Sequence, residues 1–170
     1  EHRADEIKHK YPYVDFTFGT SDLYMLPELL YRRLSGAKRT FIIPEDKPPV
    51  VEDIPVVRES NYRAWVSIMY GCNNFCSYCI VPYTRGRERS REVKSILNEI
   101  QDLCERNFKE ITLLGQNVNS YAFEEEGGEV VNFAKLLKII AERFPTMRIR
   151  FSTSHPKDMS DETLETIAAY

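Results

Sequence analysis

Cysteine is scarce in this chain and unevenly spread. Only four occur in 170 residues. That is too few for a disulfide scaffold, and three of them crowd between positions 72 and 79, where mutual pairing would be strained. The expectation is a protein of a reducing, cytoplasmic compartment. Long apolar runs are also missing, so no segment reaches the length needed to cross a bilayer and no membrane partner is expected. The start, Glu1-His2-Arg3-Ala4-Asp5, is polar, and no signal peptide is expected from it. Excess positive charge is absent too. The net charge of −3 argues against an overall cationic nucleic-acid coat, although a local basic patch exists. An initial Met is lacking, so an excerpt or a processed form is expected. What remains, 42% hydrophobic and 29% charged, is ordinary globular composition.

Three zones follow along the chain. Residues 1–40 begin with a polar, helix-compatible stretch. The alternation Val14-Asp15-Phe16-Thr17-Phe18 predicts a short strand ending at Gly19. Ser21 or Asp22 then caps a helix whose Leu26, Leu29, Leu30 and Leu34 fall on one face, with Gly36 as the stop. This unit is too small for its own core and reads as the end of a larger α/β domain. Residues 41–61 carry Pro44, Pro48, Pro49 and Pro55 and read as an extended linker. From residue 62 to 170, strand and helix alternate. Strands are predicted at Trp65–Met69, Ile111–Leu114 and Met147–Ser152. Helical stripes run through Val93, Ile96, Leu97, Ile100, Leu103 and Cys104, and through Phe133, Leu136, Leu137, Ile140 and Phe144. The acidic stretch Glu124–Glu129 reads as a surface loop. Ser160 opens a last helix. Such alternation implies a parallel sheet with its site at the carboxyl edge. A closed eight-unit barrel takes about 250 residues, so only part of one is expected.

The chemistry concentrates in Cys72-Asn73-Asn74-Phe75-Cys76-Ser77-Tyr78-Cys79, a C-x₃-C-x₂-C loop after the first strand of that zone. Thiolates are soft ligands suited to iron–sulfur clusters and zinc. Three on one loop fall short of the four that a structural zinc site uses. They can bind three irons of a [4Fe–4S] cubane and leave the fourth open for a ligand. A zinc knuckle completed from elsewhere, or three unrelated buried cysteines, are the competing readings. Cys104 sits on an apolar stripe and reads as core. After the loop, Arg85, Arg87, Arg89 and Arg91 face one acid, Glu88, and are candidates for phosphate contact as nucleic-acid-binding residues. The plain alternative is a solvated charged face. Gly115-Gln116-Asn117 follows the second strand, where Gln116 and Asn117 can hydrogen-bond a polar cofactor or simply turn the chain. His155, alone before a proline, reads as structural.

The ending Tyr78-Cys79 of the cysteine loop resembles the signature of the radical S-adenosylmethionine superfamily. Val66–Cys72, Ile80–Gly86, Leu113–Tyr121 and Arg148–Pro156 are further similar to its methylthiotransferases, most of all to the MiaB-type tRNA branch. Val14–Leu34 resembles the end of that family's amino-terminal domain. The resemblance implies a partial radical-SAM (β/α) barrel over 62–170, preceded by the linker and by the end of the methylthiotransferase domain in 1–40. It implies a [4Fe–4S] cluster on Cys72, Cys76 and Cys79, with S-adenosylmethionine on the open iron. Tyr78 would border the adenine, and Gln116 and Asn117 would orient cofactor or substrate. The implied reaction places a methylthio group on carbon 2 of an isopentenylated adenosine beside the tRNA anticodon. A flavodoxin or ferredoxin would supply electrons, and a monomer is expected. A ribosomal-protein or threonylcarbamoyladenosine substrate is the nearer alternative, and a zinc-stabilised RNA-binding module the more distant one. The family's second [4Fe–4S] cluster needs three more cysteines, and residues 1–71 contain none. The full protein is therefore expected to be longer at both ends.

Overall fold

A computed structural model of the chain describes residues 3–42 and 56–170. In chain order its elements are α1 (Ala4–Lys10), β1 (Phe16–Thr17), a 3₁₀ turn (Thr20–Met25), α2 (Leu26–Leu34), β2 (Thr40–Phe41), β3 (Arg63–Ser67) and β4 (Met69–Tyr70). Then come α3 (Val81–Thr84), β5 (Arg89–Ser90), α4 (Val93–Glu105), β6 (Glu110–Leu114), β7 (Ala122–Glu124) and β8 (Val130–Asn132). The last are α5 (Phe133–Arg143), β9 (Arg148–Phe151) and α6 (Asp161–Ala169). Among the described residues no helix is long and apolar enough to cross a membrane.

The chain divides into two compact units, one of Glu1–Ile54 with Asn73–Arg87, the other of Pro55–Cys72 with Glu88–Tyr170. The sequence divides at 41–61 instead, and most of that expected linker lies outside the described residues.

In the first unit β1 and β2 pair in parallel, with Phe16 opposite Thr40. Asp22 caps the intervening turn, its carboxylate accepting from the Gly19 amide at 3.2 Å. Helix α2 closes as a Schellman motif. The Gly36 amide donates to the Arg33 carbonyl and the Ala37 amide to Arg32, which needs the left-handed φ of 88° that Gly36 adopts. The unit is too small for a core of its own, and the burial shows it. Of the predicted apolar face only Leu29 is buried, while Leu30 and Leu34 are 47% and 79% exposed. Two strands of two residues offer too little sheet to cover a full helical stripe.

The second unit is built on a three-stranded parallel sheet in the order β3-β6-β9. Val66 lies opposite Leu113, and Leu113 opposite Phe151. The strands form where β-branched and apolar residues run between turns. Helix α4 buries Val93, Ile96, Leu97, Ile100 and Leu103, and α5 buries Phe133, Ala134, Leu136, Leu137 and Ile140, as their periodicity requires. These faces and the sheet make one continuous core, with Cys104 partly buried at its margin. Ser160 caps α6, accepting from the Thr163 amide. Two features were not anticipated. The acidic loop is the tip of a β7–β8 hairpin, with Phe123 opposite Val131. A short antiparallel ladder also pairs Met69 with Ser90 and Tyr70 with Arg89. Two- and three-residue strands leave no periodicity to read.

Candidate functional site

Because the three strands are parallel, their carboxyl ends share one edge. From it leave Gly71-Cys72 after β3 and β4, Gly115–Asn117 after β6, and Ser152–Asp158 after β9.

The last two loops are stitched together. The Thr153 hydroxyl donates to the Gly115 carbonyl at 2.6 Å, and the Val118 amide donates to the Thr153 carbonyl. Thr153 holds a left-handed φ of 64° to do so, a conformation costing about 1–3 kcal/mol that the surroundings must offset. Asn117 is the central tie. Its Nδ2 donates to Asp158 Oδ2 at 2.7 Å, and its Oδ1 accepts from the His155 amide at 3.0 Å. It is 1% exposed. Both ends of its amide are engaged inside the protein, and it braces one loop against the other. The His155 ring accepts from the Lys157 amide. Replacing Asn117 with alanine is expected to cost about 1–3 kcal/mol, since it strands the His155 amide and the Asp158 carboxylate. The shift in urea midpoint measures this, and an unchanged midpoint would refute the brace.

Gln116 behaves differently from its neighbour. Its Oε1 is buried and has no hydrogen-bond partner among the described residues. A buried acceptor without a partner is costly, so Gln116 offers an acceptor at the carboxyl edge. Gly115 permits the close approach beneath it. A Cβ there would lie 2.4 Å from Met69 Cγ.

The cysteine loop begins with Gly71, whose φ of 74° turns the chain. Cys72 is buried, Cys76 and Cys79 are half-buried, and none of the chain's cysteines is in a disulfide. The Cys79 amide donates to the Cys76 carbonyl at 2.9 Å, a tight turn between two thiols. Among the described residues no three His, Cys, Asp or Glu side chains converge on a metal position. The fit to a cluster accordingly rests on the donor set, three soft, unoxidised thiols on one turn-rich loop. Burial pushes the Cys104 thiol pKa up, which disfavours its thiolate.

Within Asn73–Arg87, Tyr78 is 91% exposed, so its ring is presented rather than packed. Phe75, at a left-handed φ of 46°, meets Tyr83 edge-on at 5.7 Å. The Arg87 guanidinium lies 4.4 Å over the Phe75 ring. The four arginines of the expected nucleic-acid contact separate. Arg85 and Arg87 are exposed, Arg89 is half-buried and Arg91 is buried. Burial disfavours the charge on Arg89 and lowers its pKa. Arg91 is engaged within the protein. Its guanidinium donates to Glu99 Oε2 at 2.7 Å, to the Ser67 carbonyl and to Ser95, and it is turned inward from any polyanion. Sequence reasoning also missed Thr153, Asp158 and Glu99. No motif marks them, and their partners are remote in the chain.

These features define an α/β protein with a parallel sheet whose first strands run in sequence into a segment of three cysteines. The sequence profile of the Radical SAM superfamily matches residues 66–170, and the chain belongs to that superfamily. Membership implies S-adenosylmethionine and a [4Fe–4S] cluster as cofactors. The chain is similar to proteins named tRNA-2-methylthio-N(6)-dimethylallyladenosine synthase. One, from Thermoanaerobacter pseudethanolicus, is 52% identical over 96% of this chain and 34% of its own length. Another, from Bacteroides fragilis, is 55% identical over 98% of this chain and 36% of its own. A third, from Carboxydothermus hydrogenoformans, is 48% identical over 98% and 37%. The chain thus spans about a third of the length of the curated relatives it matches. A solved radical S-adenosylmethionine methyltransferase from Kitasatospora setae aligns with a TM-score of 0.48 at 18% identity, covering 64% of this chain and 20% of its own. At that score the likeness carries no argument.

Proposed function

We propose that this chain is the radical-generating part of a methylthiotransferase that modifies tRNA, with carbon 2 of an isopentenylated adenosine beside the anticodon as the target. The observation that carries the reading is the C-x₃-C-x₂-C loop leaving the carboxyl edge of a parallel sheet, in a chain 52% identical to a named synthase of that product. The three parallel strands are the first of a (β/α) barrel. Cys72, Cys76 and Cys79 hold three irons and leave the fourth position for S-adenosylmethionine. When bound, these cofactors supply the one-electron and radical chemistry that no side chain here provides.

The chain's own residues bind and orient. Tyr78 presents a ring to the adenine of the cofactor. Gln116 Oε1 receives a hydrogen bond from a polar group of cofactor or substrate. Arg85 and Arg87 meet RNA phosphate, and the Arg87–Phe75–Tyr83 cluster adds planar surface suited to an unpaired base. A flavodoxin or ferredoxin delivers electrons, in the reducing cytoplasm that unpaired thiols favour. The second cluster draws its cysteines from outside this chain.

The test uses full-length protein reconstituted anaerobically with iron and sulfide. With reductant it should produce 5′-deoxyadenosine and convert isopentenyladenosine tRNA to the methylthio form. Nucleoside mass spectrometry of tRNA from a deletion strain separates this substrate from threonylcarbamoyladenosine and from ribosomal protein. One zinc per chain with no sulfide would overturn the reading. Replacing Arg85 and Arg87 with alanine is expected to weaken tRNA binding for every sequence alike. It should also reduce the slope of log affinity against log salt by about 1 per residue.

A further inference from the structure

The buried charges around Glu99 have no part in the reading above. Glu99 lies on α4 and serves two guanidiniums. Its Oε1 accepts from Arg58 Nη2 at 2.7 Å and its Oε2 from Arg91 Nη1 at 2.7 Å. The side chains of Arg58 and Arg91 are only 10% and 7% exposed. Both arginines also reach β3. Arg58 Nη1 donates to the Trp65 carbonyl at 2.8 Å, and Arg91 Nη1 to the Ser67 carbonyl at 2.6 Å.

Those two carbonyls lie on the free edge of the sheet. In a parallel ladder, alternate residues direct their backbone groups to the same neighbour. The Ile68 amide donates to Leu114 at the end of β6, so Trp65 and Ser67 face away from β6. In the order β3-β6-β9 that side of β3 has no strand among the described residues. An open strand edge needs cover, and here two guanidiniums on one carboxylate supply it.

The same group grips the stem of the cysteine loop. The Arg91 amide donates to the Ile68 carbonyl at 2.9 Å, directly below the pairing of β4 with β5. Tyr121, 1% exposed, donates its hydroxyl to the Arg91 carbonyl at 2.8 Å. All three cysteines of the loop fall between β4 and β5 in the chain. A buried ion group of this kind is weak support for overall stability, but it fixes geometry, because either partner left alone is an uncompensated buried charge.

We propose that Glu99, with Arg58 and Arg91, is a clasp that fixes the stem of the cysteine loop and so holds its thiols ready for the cluster. The three touch no substrate and are positioning residues. The proposal rests on the reading of Cys72, Cys76 and Cys79 as cluster ligands.

Two measurements on the full-length protein test it. The first is hydrogen exchange on cluster-free protein. In Glu99→Gln the amides of Met69–Tyr70 and Arg89–Arg91 should exchange about tenfold faster, with those of β6 and β9 unchanged. The second is release of iron from reconstituted protein to a ferrous chelator, expected to be several-fold faster in the variant, with loss of the visible absorption in step. Arg91→Lys keeps the charge but loses the fork. It should change both readouts in the same direction by less, and it takes over the test if Glu99→Gln does not fold. Unchanged exchange at the stem, or faster exchange spread evenly over β6 and β9, overturns the clasp. If wild-type protein takes up no iron, the cluster reading fails while the exchange measurement still decides on the stem.

Discussion

Replacing any one of Cys72, Cys76 or Cys79 with serine is expected to remove the iron–sulfur absorption and bring 5′-deoxyadenosine formation to background. A serine hydroxyl matches the thiol in shape but is a hard, protonated oxygen at neutral pH and a poor partner for iron. With two thiolates the loop no longer holds three irons, so the position left for S-adenosylmethionine loses its definition. The loss should be complete for each of the three and not graded. Cys104→Ser provides the internal control. That residue sits partly buried at the edge of the core, with its thiol pKa raised by burial. Its replacement should leave iron content unchanged and cost about 1 kcal/mol of stability. Iron and sulfide analysis of anaerobically purified full-length variants decides the matter. A Cys76 or Cys79 variant that keeps a full complement of iron would sink the assignment.

The second large effect is expected at Gly115. An added Cβ would stand 2.4 Å from Met69 Cγ, 3.1 Å from its Sδ and 3.4 Å from Val118 Cγ1. The first of these is far inside van der Waals contact, and Met69 is itself 1% exposed, packed in the core. Gly115→Ala is therefore expected to destabilise the protein by about 1–3 kcal/mol through overpacking. The clash has a named partner, which makes the prediction sharper than a loss of stability alone. In the Met69→Ala background the added methyl meets a cavity, and its cost should largely vanish. The coupling energy between the two sites is expected at about 1–3 kcal/mol. Urea unfolding of the four proteins gives this directly, and strict additivity would show that Met69 is not the obstacle. Gly115 precedes Gln116, so the single variant should also raise the KM for S-adenosylmethionine in the full-length enzyme, and the double variant should recover it.

Much of the scaffold was legible from residue order. Helices α4 and α5 announce themselves through stripes that repeat every three or four residues, and both bury those stripes. The three parallel strands follow from apolar runs between helices. Leu30 and Leu34 share the expected helical face, yet both are exposed. Periodicity tells which residues share a face, but not whether a sheet large enough to cover that face exists.

The sequence by itself determined the cysteine loop. Spacing within one short segment is a covalent property, so the donor set, the turn residues and the superfamily are all present before any folding is considered. Only the tertiary structure decided which polar residues remain available. Arg87 and Arg91 look alike in the sequence, yet one is exposed over the Phe75 ring and the other is locked to Glu99. Gln116 and Asn117 are adjacent amides, yet one keeps a buried acceptor without a partner among the described residues and the other is spent on Asp158 and His155. The reason is physical. A polar side chain is claimed or left over according to the groups that folding brings to it. Those groups, Arg58 for Glu99 and Asp158 for Asn117, each lie 41 residues away along the chain.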